Sequence, residues 1–92
     1  MDAVANVAPF DALRQRLGLS ILELAEMCGC SYSRIYNAIR GYAPIPRKAL
    51  EALAELGIDA LALRAEHVRW QEQRTQVARA DLKQRLQAQA GQ

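Results

Sequence analysis

Apolar residues recur along much of the chain at intervals of three and four, the spacing that places side chains on one face of an α-helix. Phe10, Leu13 and Leu17 follow this spacing, and Pro9 suits the first turn of a helix. We therefore predict a first helix over about residues 9–17. No segment alternates apolar and polar residues for long enough to indicate a strand.

The second predicted helix begins at a capping box. In Ser20-Ile-Leu-Glu23 the serine hydroxyl is expected to accept a hydrogen bond from the third helical residue, and the glutamate to reach back to the serine amide. The helix covers about residues 21–28. Gly29 is placed to end it, because glycine tolerates the left-handed conformation that commonly follows a helix.

A third helix is predicted close to Ser31–Arg40, with Ser31 as its cap and Gly41 after its last turn. Ile35 and Ile39 lie four residues apart and define its apolar face. At 100° per residue the opposite face is polar and lacks acidic side chains. It carries Ser33, Asn37 and Arg40, with Arg34 and Tyr36 on its flanks.

Two further helices follow an irregular connection over residues 42–46, where two prolines interrupt helical structure. Pro46 opens the fourth helix and Gly57 closes it. Asp59 can cap a last, long helix over about residues 60–89. The apolar face expected for the fourth helix consists of Ala49, Leu50, Leu53 and Ala54.

Length and composition fit a small all-α protein. The 92 residues suffice for one domain with an appendage, and 5% aromatic residues require a core of aliphatic side chains. We expect a flexible N-terminal segment over 1–8, a compact four- to five-helix domain over 9–58 and the long C-terminal helix over 59–92. No apolar run is long enough to span a membrane and no secretory signal is present, so a cytoplasmic protein is expected.

The net charge of +2 is small, but its distribution is uneven. No acidic residue occurs between Glu26 and Glu51. A local group of positive charges can neutralise phosphates even in a nearly neutral protein. The positive residues of this acid-free window are Arg34, Arg40, Arg47 and Lys48.

The sequence gives little support for a catalytic site or a metal site. Cys28, Cys30 and His67 are too few to close a four-coordinate zinc site, and a disulfide two residues apart would be strained. The cysteines are expected to be small buried residues in a turn, and His67 to lie on the surface. Trp70 on the same helix should pack on something. No nucleophile, base and acid are arranged for catalysis, so no enzyme, metal or cofactor is expected.

The relative positions of three particular residues predict how the second and third helices pack. Helices that cross steeply through a short turn need a small residue at the contact, a turn residue that adopts positive φ, and a branched anchor in the second helix. Ala25, Gly29 and Ile35 meet these needs. The arrangement is typical of a helix-turn-helix.

Further residues between about 10 and 58 extend this pattern: Leu24-Ala25-Glu26, Gly29, Ser31, Ser33-Arg34-Ile35, Arg40-Gly41 and Leu53-Ala54-Glu55-Leu56-Gly57-Ile58. On these residues the stretch resembles the Xre/Cro-type, lambda-repressor-like helix-turn-helix family. Four positions depart from the common pattern of the family: Ile21 stands where many members have Gln, Ile39 where many have Glu, and Cys28 and Cys30 where Leu or Val is usual.

The resemblance implies a protein that binds double-stranded operator DNA, commonly as a dimer. The residues that face the DNA bases would be Tyr32, Ser33, Tyr36 and Asn37. Arg34 and Arg40 would contact either the DNA backbone or a base. Ser31 would contact a phosphate, and Tyr42, Arg47 and Lys48 could hold the sugar-phosphate backbone. Tyr36 could instead pack on the first helix, and Tyr42, Arg47 and Lys48 could be merely solvated.

These features favour a repressor that binds a palindromic operator as a homodimer. Similar small proteins are often antitoxins, which bind an operator and also mask a toxin protein, and this alternative stays open. A third alternative is a helix-turn-helix that serves only protein contacts. Salt-sensitive binding to DNA would distinguish the repressor and the antitoxin from a protein that serves only protein contacts. Co-purification with a partner protein would distinguish the antitoxin from the repressor.

The last helix is predicted to make the protein a dimer or to bind another protein. Its apolar residues form two ladders on different sides, which suggests two neighbours: its own domain and a partner helix. One ladder contains Leu61, Val68 and Leu82, and the other Leu63, Trp70 and Val77. Glu72, Thr75 and Arg79 interrupt the first ladder, so a solvated tail stays open as the alternative. The residues assigned to dimerisation are Leu63, Val68, Trp70, Val77 and Leu82.

Overall fold

A computed structural model describes residues 7–91, and within that range the chain forms five α-helices and no strand. The expected all-α class with a long C-terminal helix is confirmed. Of the N-terminal segment expected over residues 1–8, only Val7 and Ala8 lie within the described residues, and Ala8 is buried. The helices are α1 (Pro9–Leu17), α2 (Ile21–Cys28), α3 (Tyr32–Arg40), α4 (Arg47–Glu55) and α5 (Ala60–Ala90).

Local hydrogen bonds explain where the helices begin. The Ser20 hydroxyl oxygen accepts from the Glu23 amide at 3.0 Å, and the Glu23 carboxylate accepts from the Ser20 amide at 2.9 Å, so the predicted capping box is formed. The backbone bond from Ser20 lowers the pKa of Glu23 and keeps it ionised. Asp59 likewise accepts from the Ala62 amide at the start of α5.

The core lies among the first four helices and the beginning of α5. Helix α2 contacts both α3 and α4, and α1 contacts α3. Ala25 is 2% exposed, as expected for a small residue where helices touch. The largest fully buried apolar side chains are Phe10, Leu24, Ile35 and Leu53.

Helix α5 has a docked half and a projecting half. Its first part packs on α1 and α4 and buries Leu63, His67 and Trp70. From Glu72 to Ala90 every residue is exposed, because the helix is longer than the domain. The described chain therefore extends 56 Å along its longest axis and only 23 Å and 21 Å across it.

Two burial predictions were wrong. His67 was expected on the surface, but it is 1% exposed, because α5 docks through this face and places the ring beside Phe10 and Trp70. Ala54 was expected on the apolar face of α4, but it is exposed, because that face meets its neighbours mainly through Ala49 and Leu53.

Candidate nucleic-acid interface

Helix α3 separates its residues sharply into a buried and an exposed face. Ile35, Ala38 and Ile39 are buried in the core. Every other residue of α3 is exposed, and no acid lies in its first turn. The exposed set contains all the α3 residues that the sequence marks as DNA-facing, which are Tyr32, Ser33, Arg34, Tyr36, Asn37 and Arg40.

The amino end of α3 is open to an anion. The Ser31 hydroxyl oxygen accepts from the Arg34 amide at 3.3 Å, which leaves its proton free to donate outward. The neighbouring main-chain amides of the first turn have no acceptor within the helix. These donors, the positive end of the helix dipole and the Arg34 side chain all favour a phosphate at this end.

Two tyrosines form a stacked pair on the exposed face. The rings of Tyr32 and Tyr36 lie 6.1 Å apart between centroids and 15° from parallel. Tyr36 therefore packs on its neighbour one turn earlier and remains 38% exposed. Tyr32 is 49% exposed, so both rings are open to solvent on this face.

The carboxyl end of α3 is cationic. Gly41 adopts a φ of 86° and ends the helix, with its amide and that of Tyr42 bonded back to Ala38 and Asn37. A side-chain hydrogen bond with Tyr42, helped by nearby Tyr36, raises the pKa of Arg40 further above its already high value. Arg40 is exposed and always protonated, so it supplies a cation at this end of α3.

Helix α5 contacts this end of α3 through two side-chain hydrogen bonds. The Gln71 amide donates to the Gly41 carbonyl at 3.1 Å, and the Arg74 guanidinium donates to the Arg40 carbonyl at 2.6 Å. The guanidinium also lies 5.0 Å from the centre of the Trp70 ring. Arg74 thus adds a positive charge beside Arg40 and satisfies a carbonyl that α3 itself leaves unpaired.

Sequence reasoning missed Gln71 and Arg74. They are separated from their acceptors by 30 and 34 residues, and they lie on a helix rich in glutamine and arginine. Nothing in their local pattern distinguishes them from solvated neighbours. Only the packing of Trp70, which precedes Gln71 directly and Arg74 by one turn, was suggested by the sequence and indicates that this stretch touches the domain.

His67 ties the segment after α3 to the core. Its Nε2 lies 3.3 Å from the Ala43 carbonyl oxygen, so the neutral ring with a proton on Nε2 donates to that carbonyl. The buried Nδ1 has no hydrogen-bond partner. Burial lowers the pKa of His67, opposed by the bond to Ala43, because a charged ring would lose its water.

The helix-turn-helix family model matches residues 11–57, which is slightly more than half of the chain and covers most of α1 and all of α2, α3 and α4. The chain belongs to the Xre/lambda-repressor-like helix-turn-helix family. Members of this family are DNA-binding transcription regulators. No curated protein and no solved structure matches the chain. Between residues 7 and 91 no helix is both long and apolar enough to cross a bilayer.

In this helix-turn-helix protein the segment after α3 adds three exposed polar side chains. Tyr42 is 67% exposed, and Arg47 and Lys48 are exposed at the start of α4. The Arg47 guanidinium lies 3.4 Å from the Glu51 carboxylate, and both side chains are open to solvent. Such a pair is weak, so it leaves Arg47 available to an incoming phosphate.

The two cysteines of the helix-turn-helix are free thiols. Cys28 is buried and Cys30 half-buried, so the expectation of burial holds fully only for Cys28. Burial raises the pKa of Cys28 to about 11, with a smaller contribution from Cys30, which keeps the thiol protonated. Among residues 7–91 no group of three or more potential ligands is placed to hold a metal ion.

The residues assigned to dimerisation divide into two groups. Leu63 and Trp70 are buried against the protein's own domain, so they serve the fold of one chain and are not available to a partner. Val68, Val77 and Leu82 are 38%, 53% and 49% exposed. Of the five assigned residues, these three are therefore the ones that α5 leaves open to a partner.

Proposed function

We propose that this member of the family is a sequence-specific regulator that inserts α3 into the major groove of double-stranded DNA. The observation that carries the proposal is the exposed face of α3, which offers hydroxyl, amide and guanidinium groups and no carboxylate. A face of this kind can donate to phosphates and read base edges without repelling the DNA backbone.

Each exposed residue has a role that its chemistry supports. Asn37 can bond to both N6 and N7 of adenine, and an arginine to O6 and N7 of guanine. Tyr32, Ser33 and Tyr36 share this face with Asn37. Phosphate contacts are proposed for Ser31 at the amino end of α3 and, at the other end, for Arg40, Tyr42, Arg47 and Lys48.

We further propose that the protein binds a palindromic operator as a homodimer and acts as a repressor. One α3 of nine residues is about 13 Å long and can read only a few base pairs. Two-fold symmetry doubles the site and places the half-sites about one helical turn apart. A protein seated in the groove denies the same DNA to other proteins, which is repression in its simplest form.

Selection of bound sequences from random duplexes tests the proposal. The selected duplex is then used to measure the affinity of Asn37→Ala, which should be lower by about 1–3 kcal/mol on that duplex and little changed on random DNA. Gln15→Ala on α1 is the matched control, because it shortens an exposed amide away from α3.

The salt dependence of affinity tests the phosphate contacts. Arg34→Ala should weaken binding, and the slope of log affinity against log salt should fall by about one if Arg34 contacts a phosphate. Arg16→Ala, at the exposed end of α1, removes the same charge and should leave the slope unchanged. A wild-type protein with no affinity for any duplex at low salt contradicts the proposal.

A further inference from the structure

Helix α5 carries a second apolar face that its own domain does not use. Starting at Leu61, positions at alternating intervals of four and three residues follow one line along the helix as far as Leu86, the spacing of a two-helix coiled coil. We call this line the α5 seam. Its apolar members are Leu61, Ala65, Val68, Leu82 and Leu86, and its polar members are Glu72, Thr75 and Arg79.

The α5 seam is open to solvent along its whole length. Leu61 is 78% exposed and Leu86 is 63% exposed, at its two ends. The domain packs against the face that holds Leu63, His67 and Trp70, which on a 100°-per-residue wheel is nearly opposite. Large apolar side chains are therefore exposed in register over about 37 Å of helix.

The centre of the α5 seam carries one charge of each sign. Glu72 and Arg79 are seven residues apart, which is about 10 Å along the helix and too far for an ion pair within one chain. Neither side chain takes part in a salt bridge within residues 7–91. The two charges are thus placed on the line of contact and left for a partner.

We propose that the α5 seam binds the α5 seam of a second copy of this chain in antiparallel orientation. This deepens the proposed function, because it rests on the homodimer and specifies its geometry. In the antiparallel register that sets Leu61 opposite Leu86, the apolar ends meet. Each Glu72 then lies about 6 Å along the axis from Arg79 of the other chain and about 4.5 Å from its Glu72, so two attractive pairs outweigh one repulsive pair. Parallel helices would instead set Glu72 beside Glu72 and Arg79 beside Arg79, which is unfavourable.

The orientation places the dimer axis beside both DNA-reading helices. The middle of the seam lies between Glu72 and Thr75, and Arg74 in the same turn bonds to the last carbonyl of α3. The segment that holds the end of α3 is therefore also the segment where the two chains cross. Dimerisation then fixes the two α3 helices relative to one another through one short stretch of α5.

Charge reversal separates the two orientations. In the antiparallel dimer Glu72→Arg or Arg79→Glu replaces two attractive contacts by two repulsive ones, and the dimer dissociation constant should rise by about tenfold at low salt. The double variant Glu72→Arg with Arg79→Glu should restore it. In a parallel dimer each single reversal leaves like charges facing one another, so the constant should not change.

Sedimentation equilibrium of the full chain measures these constants. Glu66→Arg makes the same charge change as Glu72→Arg at an exposed position of α5 about 120° from the seam, and it should have little effect. Single reversals without effect overturn the proposal, and so does a wild-type protein that stays monomeric at high micromolar concentration.

Oxidative cross-linking gives a second, independent readout. The double variant Leu61→Cys with Leu86→Cys should form a covalent dimer, whereas Leu82→Cys should not, because its two copies lie about 25 Å apart in the antiparallel pair. Wild type under the same oxidant corrects for Cys28 and Cys30. Efficient cross-linking through Leu82→Cys would indicate parallel helices and overturn the proposal.

Binding to the selected duplex is measured on the same samples. If the duplex is bound but the reversals and cross-links fail as above, the antiparallel seam is wrong and the DNA-binding proposal stands. If no duplex is bound while the seam behaves as expected, the proposed function is wrong and the seam is an interface of a different kind of protein.

Discussion

Helices α2 and α3 are built on nearly the same plan and differ where DNA would be. Both begin with a serine whose hydroxyl caps the first turn, and both end at a left-handed glycine. The third residue of α2 is Glu23, which completes a capping box, and the third residue of α3 is Arg34. The third position of α3 therefore lacks the acid that would stabilise the helix, and it holds a cation beside the helix end where a phosphate would bind.

The two helices also differ in what supports their carboxyl ends. A Cβ atom added to Gly29 after α2 would meet nothing within 4 Å, whereas one added to Gly41 after α3 would lie 2.6 Å from the Trp70 ring. No other element therefore packs against the glycine that ends α2, whereas α5 packs against the glycine that ends α3. In the proposed complex with DNA, this second support would help to hold α3 in a fixed position.

Ala25→Glu should have the largest effect on the molecule. Ala25 is almost fully buried in α2, so the variant forces a charge and extra volume into the core and should cost about 4 kcal/mol of unfolding free energy or more. Glu26→Ala, on the exposed face of the same helix, should change stability by less than about 0.5 kcal/mol. Thermal melts compare the two, and a normal melt for Ala25→Glu would remove α2 from its assigned place.

Gly41→Ala should cost more than Gly29→Ala. Both variants place alanine at positive φ, which costs about 1–2 kcal/mol. Gly41→Ala must in addition push Trp70 and Arg74 aside, which should cost about 2 kcal/mol more. Urea unfolding of both proteins measures the difference. Equal costs would mean that α5 does not bear on the end of α3.

Arg34→Glu gives α3 the capping box of α2 and should separate stability from function. We expect stability to be unchanged or higher by about 0.5 kcal/mol. Affinity for the selected duplex should fall by about a hundredfold, because a phosphate or base contact becomes repulsive. Arg34→Gln keeps a capping acceptor without the negative charge and should lose less affinity. Equal affinity of Arg34→Glu and wild type would exclude Arg34 from the interface.

The smallest expected effect concerns His67, which ties the segment after α3 to α5. Its pKa is lowered in the folded state by burial, so the unfolded chain takes up the proton more readily. Stability should be complete above the unfolded pKa of about 6.5 and should fall as the pH drops through the folded value.

The control for this prediction is His67→Gln, which retains a donor for the Ala43 carbonyl and does not titrate. Unfolding is followed by urea titration at a series of pH values between 7.5 and 5. The wild type should lose more stability than the variant over this range. Parallel pH profiles would show that His67 does not contribute to the acid sensitivity of the fold.

The sequence alone determined the helices and the face of α3 that meets solvent. Capping box, left-handed glycines and the spacing of Ile35 and Ile39 act within one or two turns, so they can be recognised along the chain. The same local pattern marked α5 as a long helix with two apolar sides.

The tertiary structure alone decided what α5 does to the rest of the molecule. Its contacts with Arg40, Gly41 and Ala43 join residues 24 to 34 positions apart. A polar side chain on a polar helix has no local feature that reveals a distant carbonyl, and a lone histidine is more often exposed than buried. The docking of α5 on α1 and α4 buries His67 and brings Gln71 and Arg74 within hydrogen-bond distance of the end of α3. This docking depends on the shapes of three helices together.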